Sequence, residues 1–171
     1  MLNRKITLGG SQNQTRRRFM LASGAVVLTA GASALLGGFG QGPSEAAAQG
    51  DLIVWKSRTC SCCGGWVSHV RAEGFAVKVI DLDDLDPIKT ARRIPEGLLS
   101  CHTAEIQGYV VEGHVPTAAI RQLLADRPEL DGIALAGMPS GSPGMGGPAE
   151  VLTVVGFRDG KPTGPFWEGA V

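Results

Sequence analysis

Three cysteines stand within four positions, Cys60-Ser61-Cys62-Cys63, with a strand-like run before them and a helix-like run after them. Leu52-Ile53-Val54-Trp55 is a short apolar stretch of the kind that forms a buried strand. Trp66, Val67, Val70 and Arg71 suit a helix, and Gly74 fits the position just past its C-terminus. The cysteines thus occupy a strand-to-helix corner. Free N–H groups and the helix dipole favour an anion there, so thiols ionise more readily. Thiolate is both a nucleophile and a metal ligand, and soft thiolates select Cu(I), zinc or iron–sulfur centres over hard cations.

The fourth cysteine, Cys101, lies in Ser100-Cys101-His102-Thr103, directly ahead of a third predicted strand. It is expected to pack across from the cluster and complete a four-sulfur site. His102 either adds a nitrogen or points away along the strand. Three other readings compete. A structural zinc site prefers two separated cysteine pairs, and this chain has one cluster. A redox dithiol fits Cys60 and Cys63, which form a CxxC. Bracing disulfides fit less well, because the adjacent Cys62 and Cys63 cannot pair without strain.

The remaining pattern supports an α/β class. Phe75 to Leu82 reads as a second strand. Asp86-Pro87 reads as N-cap and first residue of a helix that stops before Pro95. Thr103–Ile106 and Tyr109–Glu112 flank a Gln107-Gly108 hairpin turn. Pro116 or Thr117 starts a helix with Ile120, Leu123 and Leu124 on one face, ended by Pro128. The order βαβαββα is the thioredoxin-like order. Beyond Asp131 the chain adds a Gly/Pro/Met-rich loop over 137–148, a final strand from Val151 to Phe157, and a turn at Asp159-Gly160.

The segment 1–48 has a different character. It holds Arg4, Lys5, Arg16, Arg17 and Arg18 against a single acid, Glu45. An apolar stretch from Phe19 to Leu36 leads to the small-residue site Ala46-Ala47-Ala48, the plan of an export signal. Thr15-Arg16-Arg17-Arg18-Phe19-Met20 resembles the twin-arginine export motif, with Leu21 where lysine is usual. An uncleaved membrane anchor is the alternative, since a span needs about 20 apolar residues. With 1–48 removed, 123 residues remain, carrying 11 basic and 15 acidic side chains. The zero net charge of the whole chain therefore averages a basic leader with a mildly acidic domain, 49–171. Neither offers a basic nucleic-acid surface. All four cysteines fall in the exported part, so a periplasmic, oxidising setting is expected, with no membrane attachment after cleavage.

Several further motifs complete a pattern. They are Trp55-Lys56-Ser57, Thr59-Cys60-Ser61-Cys62-Cys63-Gly64-Gly65-Trp66, His69, Gly74-Phe75, Ser100-Cys101-His102-Thr103, Gly108-Tyr109, Glu112-Gly113-His114-Val115-Pro116, Gly137-Met138-Pro139 and Gly141-Ser142-Pro143-Gly144-Met145. Together, from about Leu52 to Phe157, they resemble the exported metal-binding family, long filed as a domain of unknown function, that includes the bacterial copper-resistance protein CopG. The resemblance implies a thioredoxin-like fold and a cysteine-bridged multinuclear copper site. It implies a role in periplasmic copper resistance, with Cu(I)/Cu(II) interconversion and copper export or delivery proteins as partners. Cys60, Cys62, Cys63 and Cys101 match the family's cysteines, and Ser61 stands where glycine is commoner.

Other candidate ligands follow from residue chemistry. Met138 and Met145 lie in the Gly/Pro loop, away from any periodic apolar face; thioethers suit Cu(I), though methionine also fills gaps under loops. His114 precedes a helix start, where it either ligates or merely caps. His69 lies seven residues after Cys62, near the same helical face, where it can orient a ligand or simply meet solvent. The acidic run Asp81, Asp83, Asp84 and Asp86 lacks the glycine and final glutamate of a calcium loop. The leading expectation is a copper-binding protein holding Cu(I) on the four cysteines, with His102, His114, Met138 and Met145 as further ligands. A thiol–disulfide oxidoreductase using Cys60 and Cys63 is the alternative, and a non-catalytic binding module the third.

Overall fold

The computed structural model describes residues 51–171; the expected leader 1–48 lies outside them. Strand β1 (Asp51–Ser57) runs into helix α1 (Ser61–Ala72), then β2 (Ala76–Leu82), α2 (Asp86–Ala91) and a 3-10 turn at Glu96–Leu98. Next come β3 (His102–Ile106), β4 (Tyr109–Gly113), α3 (Thr117–Asp126), β5 (Gly132–Leu135), β6 (Leu152–Arg158) and β7 (Lys161–Gly169). The result is a mixed α/β fold whose first seven strands and helices keep the expected order. No helix among the described residues is long and apolar enough to cross a membrane.

The seven strands form one sheet, ordered β2-β1-β3-β4-β5-β6-β7. β1 pairs with β2 in parallel, β3 lies antiparallel to both β1 and β4, and β5 joins β4 in parallel. Alternation along each strand sends neighbours to opposite faces. Thus Val111 joins the larger core with Trp66, Val70, Ile120 and Leu123, under α1 and α3. Val110 joins a smaller cluster with Ile94, Leu98, Ala134 and Phe157 on the other face.

The turns behave as their residues dictate. Gln107-Gly108 and Asp159-Gly160 all take positive φ, between 49° and 87°, as tight hairpins require. One helix start and two whole strands, β5 and β7, differ from expectation. Asp86 is the first residue of α2 rather than its cap, because Asp84 Oδ1 accepts from the Asp86 N–H at 2.9 Å. β5 is a four-residue strand of small and apolar residues that gives no alternation to read. β7 contains Pro162 and Pro165, which ordinarily argue against a strand; it is tolerated because β7 is the sheet edge.

Candidate metal centre

β1 ends at Ser57, and the Cys60 N–H donates to the Ser57 carbonyl at 3.2 Å, turning the chain into α1. Cys60 is the N-cap of α1, and Cys62 and Cys63 sit in its first turn. β3 runs beside β1, with His102 opposite Lys56. That register carries Cys101, one residue earlier, up to the same corner. Cys62 Sγ stands 3.5 Å from Cys60 Sγ and 4.0 Å from Cys101 Sγ. The four sulfurs all lie within 4.8 Å of one another. The expected convergence of Cys101 on the cluster is therefore present in the geometry.

Their oxidation states differ. Cys60 and Cys63 are joined as a disulfide, while Cys62 and Cys101 are free thiols. Four thiolates are thus available only after this bond is reduced. The pairing avoids the strained Cys62–Cys63 option and uses the CxxC positions of the redox reading.

Two histidines complete the polar cluster. His114 follows β4, and its Nε2 lies 3.2 Å from Cys101 Sγ. Its Nδ1 lies 2.7 Å from the carbonyl of Pro143, which can only accept, so Nδ1 carries the proton. Nε2 then keeps its lone pair toward the sulfur, and the Cys101 thiol donates to it. His102 does not point away along the strand. Its Nδ1 is 3.5 Å from Cys101 Sγ, and its ring lies 4.4 Å from that of Trp66 and 5.1 Å from that of His114. Trp66 is itself fixed by its indole N–H donating to the Val115 carbonyl at 2.9 Å. His102 Nε2 is buried with no hydrogen-bond partner.

The electrostatics follow from this burial. Burial, then the adjacent Cys62, pushes the Cys101 thiol from 9.0 up to about 11. Burial, then His114, pushes His102 from 6.5 down to about 3. Burial also lowers His114, against the opposing bond to Pro143. Both imidazoles are therefore neutral at neutral pH, the state a ligand needs.

The 137–148 loop roofs the centre. Gly144 has a φ of 86°, and a Cβ there would meet the Trp66 backbone nitrogen at 2.4 Å and the Cys62 carbonyl oxygen at 2.9 Å. Glycine is what lets the loop backbone lie on the first turn of α1. The loop carries Met138 and Met145, residues that are 38% and 37% exposed. The contacts that knit the cluster run among cysteines and histidines. His69 goes elsewhere: its Nε2 lies 3.5 Å from Thr117 Oγ1, at the start of α3. The partner found for His69 is thus on α3 rather than a cysteine or histidine of the cluster.

One feature of the surroundings was not read from the sequence. Glu112, in β4, is fully buried and pairs with Lys89 of α2 at 2.5 Å. Burial pushes its carboxyl up, and the Lys89 ammonium pulls the other way. A glutamate in the apolar strand Tyr109-Val110-Val111-Glu112 was the available signal, since a buried charge requires a partner.

The chain was compared with known proteins. The family described as a protein of unknown function, DUF411, matches residues 98–145, the stretch from Cys101 to the roofing loop. No curated protein matches the chain. Among solved structures, the copper resistance protein CopG in its form 1 is 38% identical, with a TM-score of 0.64, over 71% of this chain and 98% of that one. Form 2 of the same protein gives 38% identity and a TM-score of 0.64 over 70% and 97%. The chain belongs to the CopG family. A CopG-family relationship and a cysteine cluster able to hold metal together support a copper-related role.

Proposed function

We propose that the protein is an exported copper-binding protein of the periplasm that serves copper resistance by holding Cu(I) on Cys60, Cys62, Cys63 and Cys101. The observation that carries this is the meeting of four sulfurs and two neutral imidazoles in one partly buried volume. Thiolate sulfur with imidazole nitrogen is a donor set suited to copper, and zinc is the weaker fit to a single cysteine cluster. The approach of His102 Nδ1 and His114 Nε2 to the Cys101 sulfur is what a ligand-competent pocket presents. His102, His114 and the loop thioethers of Met138 and Met145 are assigned as the remaining ligands. Sulfurs this close can bridge ions, which favours a multinuclear cluster over a single ion.

The architecture is assigned as thioredoxin-like. The β2-β1-β3-β4 order, with β1 and β2 parallel and the cysteines where β1 becomes α1, supports it. The leader 1–48 is assigned to the twin-arginine route, and copper export or delivery proteins to the role of partners.

The disulfide gives the centre a redox partner. Closing the Cys60–Cys63 bond from two thiols releases two electrons and two protons; two Cu(II) ions arriving as substrate would take up those electrons and become Cu(I). Copper interconversion therefore balances within one chain. The same disulfide favours a second reading, a thiol–disulfide oxidoreductase acting on protein thiols. Copper analysis of protein from copper-grown cells tests the first. At least one copper per chain, reduced in Cys60→Ser, is expected. Less than one, unaffected by Cys60→Ser, sinks it. Insulin reduction by rigorously metal-free protein would favour the second. Fractionation of cells tests the periplasmic assignment.

A further inference from the structure

We propose that Glu112 is a positioning residue for the metal centre: from the opposite face of the sheet, its carboxylate clamps the segment that carries Cys101 to the strand that carries His114. The inference rests on the copper-binding reading for its purpose, but not for its geometry.

The clamp joins three elements. Glu112 Oε1 accepts from the Ser100 backbone N–H at 2.6 Å and from Lys89 Nζ at 2.5 Å. Its Oε2 accepts from Thr103 Oγ1 at 2.7 Å, and Lys89 also donates to Thr103 Oγ1 at 3.0 Å. Thr103 and Glu112 are direct partners across β3 and β4, so they share a face. Their neighbour His102 points to the other face, onto Trp66. Ser100 precedes Cys101 and Glu112 lies two residues before His114. The bond between them therefore closes a short ring of chain whose far side is the 3.2 Å contact of Cys101 with His114.

Gly113 makes the approach possible. Its φ is 77°, and a Cβ there would meet the Leu135 carbonyl oxygen at 2.6 Å and Ser100 Oγ at 2.7 Å. The backbone at 113 must be bare for Ser100 to lie against it. The segments 100–103 and 112–114 are thus one interlocked unit, and both fall within the stretch 98–145 that matches the family. A buried charge pair is a poor source of stability compared with apolar packing. Its placement here instead fixes a backbone donor next to a ligand.

Two double variants separate positioning from charge. Lys89→Met with Glu112→Gln leaves an acceptor for the Ser100 N–H; Lys89→Met with Glu112→Leu leaves none, and neither strands a buried charge. With the Cys60–Cys63 disulfide intact, Cys62 and Cys101 are the only thiols to alkylate, so Cys62 is an internal reference. In metal-free protein the Leu variant should alkylate Cys101 several times faster relative to Cys62, while the Gln variant stays near wild type. In reduced protein the Leu variant should bind Cu(I) roughly 10- to 100-fold more weakly, the usual cost of losing an outer partner of a ligand, with the Gln variant restoring affinity. Equal alkylation ratios in both variants overturn the proposal. Should the Leu variant not fold, Ser100→Pro deletes the N–H itself; Leu99 already has the extended ψ of 141° that a following proline needs. An unchanged ratio in Ser100→Pro likewise overturns it. If wild type binds no copper but the alkylation difference holds, the copper reading fails and the clamp stands.

Discussion

The Pro143 carbonyl holds the His114 imidazole from behind, and this bond turns Nε2 toward the Cys101 thiol. A residue of the roofing loop thereby decides which nitrogen a metal would meet. Outer partners of this kind fix both tautomer and ring orientation in histidine sites. The loop can do this only while Gly144 rests on the first turn of α1.

Gly144→Ala should accordingly loosen the centre without touching a donor atom. The added Cβ would collide with the Trp66 backbone nitrogen and the Cys62 carbonyl oxygen, and a φ of 86° disfavours any side chain. The loop must lift, and Pro143 leaves His114. Copper(I) affinity is expected to fall roughly 10- to 100-fold, as for other lost outer-shell partners. The melting temperature should change less than the affinity, because no residue of the loop belongs to either hydrophobic cluster. Chelator competition and thermal melts read the two quantities, and unchanged affinity would remove the loop from the account.

The Cys101 thiol gives a prediction in the alkaline range. Its value rises from 9.0 to about 11 on folding, mainly through burial. A raised value means that the contribution is fully present below pH 9 and is lost as pH climbs toward 11. Metal-free wild type should lose stability across that window more steeply than Cys101→Ser. The same thiol is protonated at neutral pH, so metal binding must expel its proton. Copper(I) affinity should therefore rise with pH, by about tenfold per unit for each proton released. Denaturant titrations and competition at stepped pH provide the check.

Much of this centre could be read from the chain alone, for a local reason. A strand run, three cysteines and a helix run are contiguous, so nearest-neighbour chemistry places them. Cys101 needed the further step of reading the element order as thioredoxin-like, an order in which the residue ahead of the third strand faces the start of the first helix. What could not be read depends on distant partners. Glu112 and Lys89 are separated by 23 residues, and nothing local says that α2 will reach β4. His69 found Thr117 for the same reason. β7 was missed because Pro162 and Pro165 break the local rule for strands, and only the sheet order shows that it is an edge. The Cys60–Cys63 bond is a further case: spacing allowed it, but so did the reduced cluster.

His102 predicts behaviour in acid. Burial holds its imidazole down at about 3, against 6.5 when free. A depressed value means that its contribution is present above pH 6.5 and is lost as pH falls toward 3, because the unfolded chain takes up the proton first. Metal-free His102→Gln should lack this part of the acid transition, and its denaturation midpoint should vary less between pH 6.5 and 4. Its stability at pH 7 is expected to fall by about 1–3 kcal/mol, the range for disturbing a buried polar group. Equal acid slopes in variant and wild type would assign the transition to other groups.

The disulfide makes the strongest demand on the copper reading. In the oxidised chain, Cys62 and Cys101 alone offer thiols, with His114 Nε2 beside Cys101. Reduction adds Cys60 and Cys63, which lie within 4.8 Å of the other two sulfurs. Copper(I) capacity per chain should therefore be greater after reduction, and affinity should rise with it. A Cys60→Ser, Cys63→Ser double variant cannot form the bond and should bind like the oxidised wild type whether or not reductant is present. Anaerobic titration of Cu(I) against a competing chelator measures capacity and affinity together. If oxidised and reduced wild type take up the same copper with the same affinity, Cys60 and Cys63 are not ligands, and their disulfide belongs to thiol exchange instead.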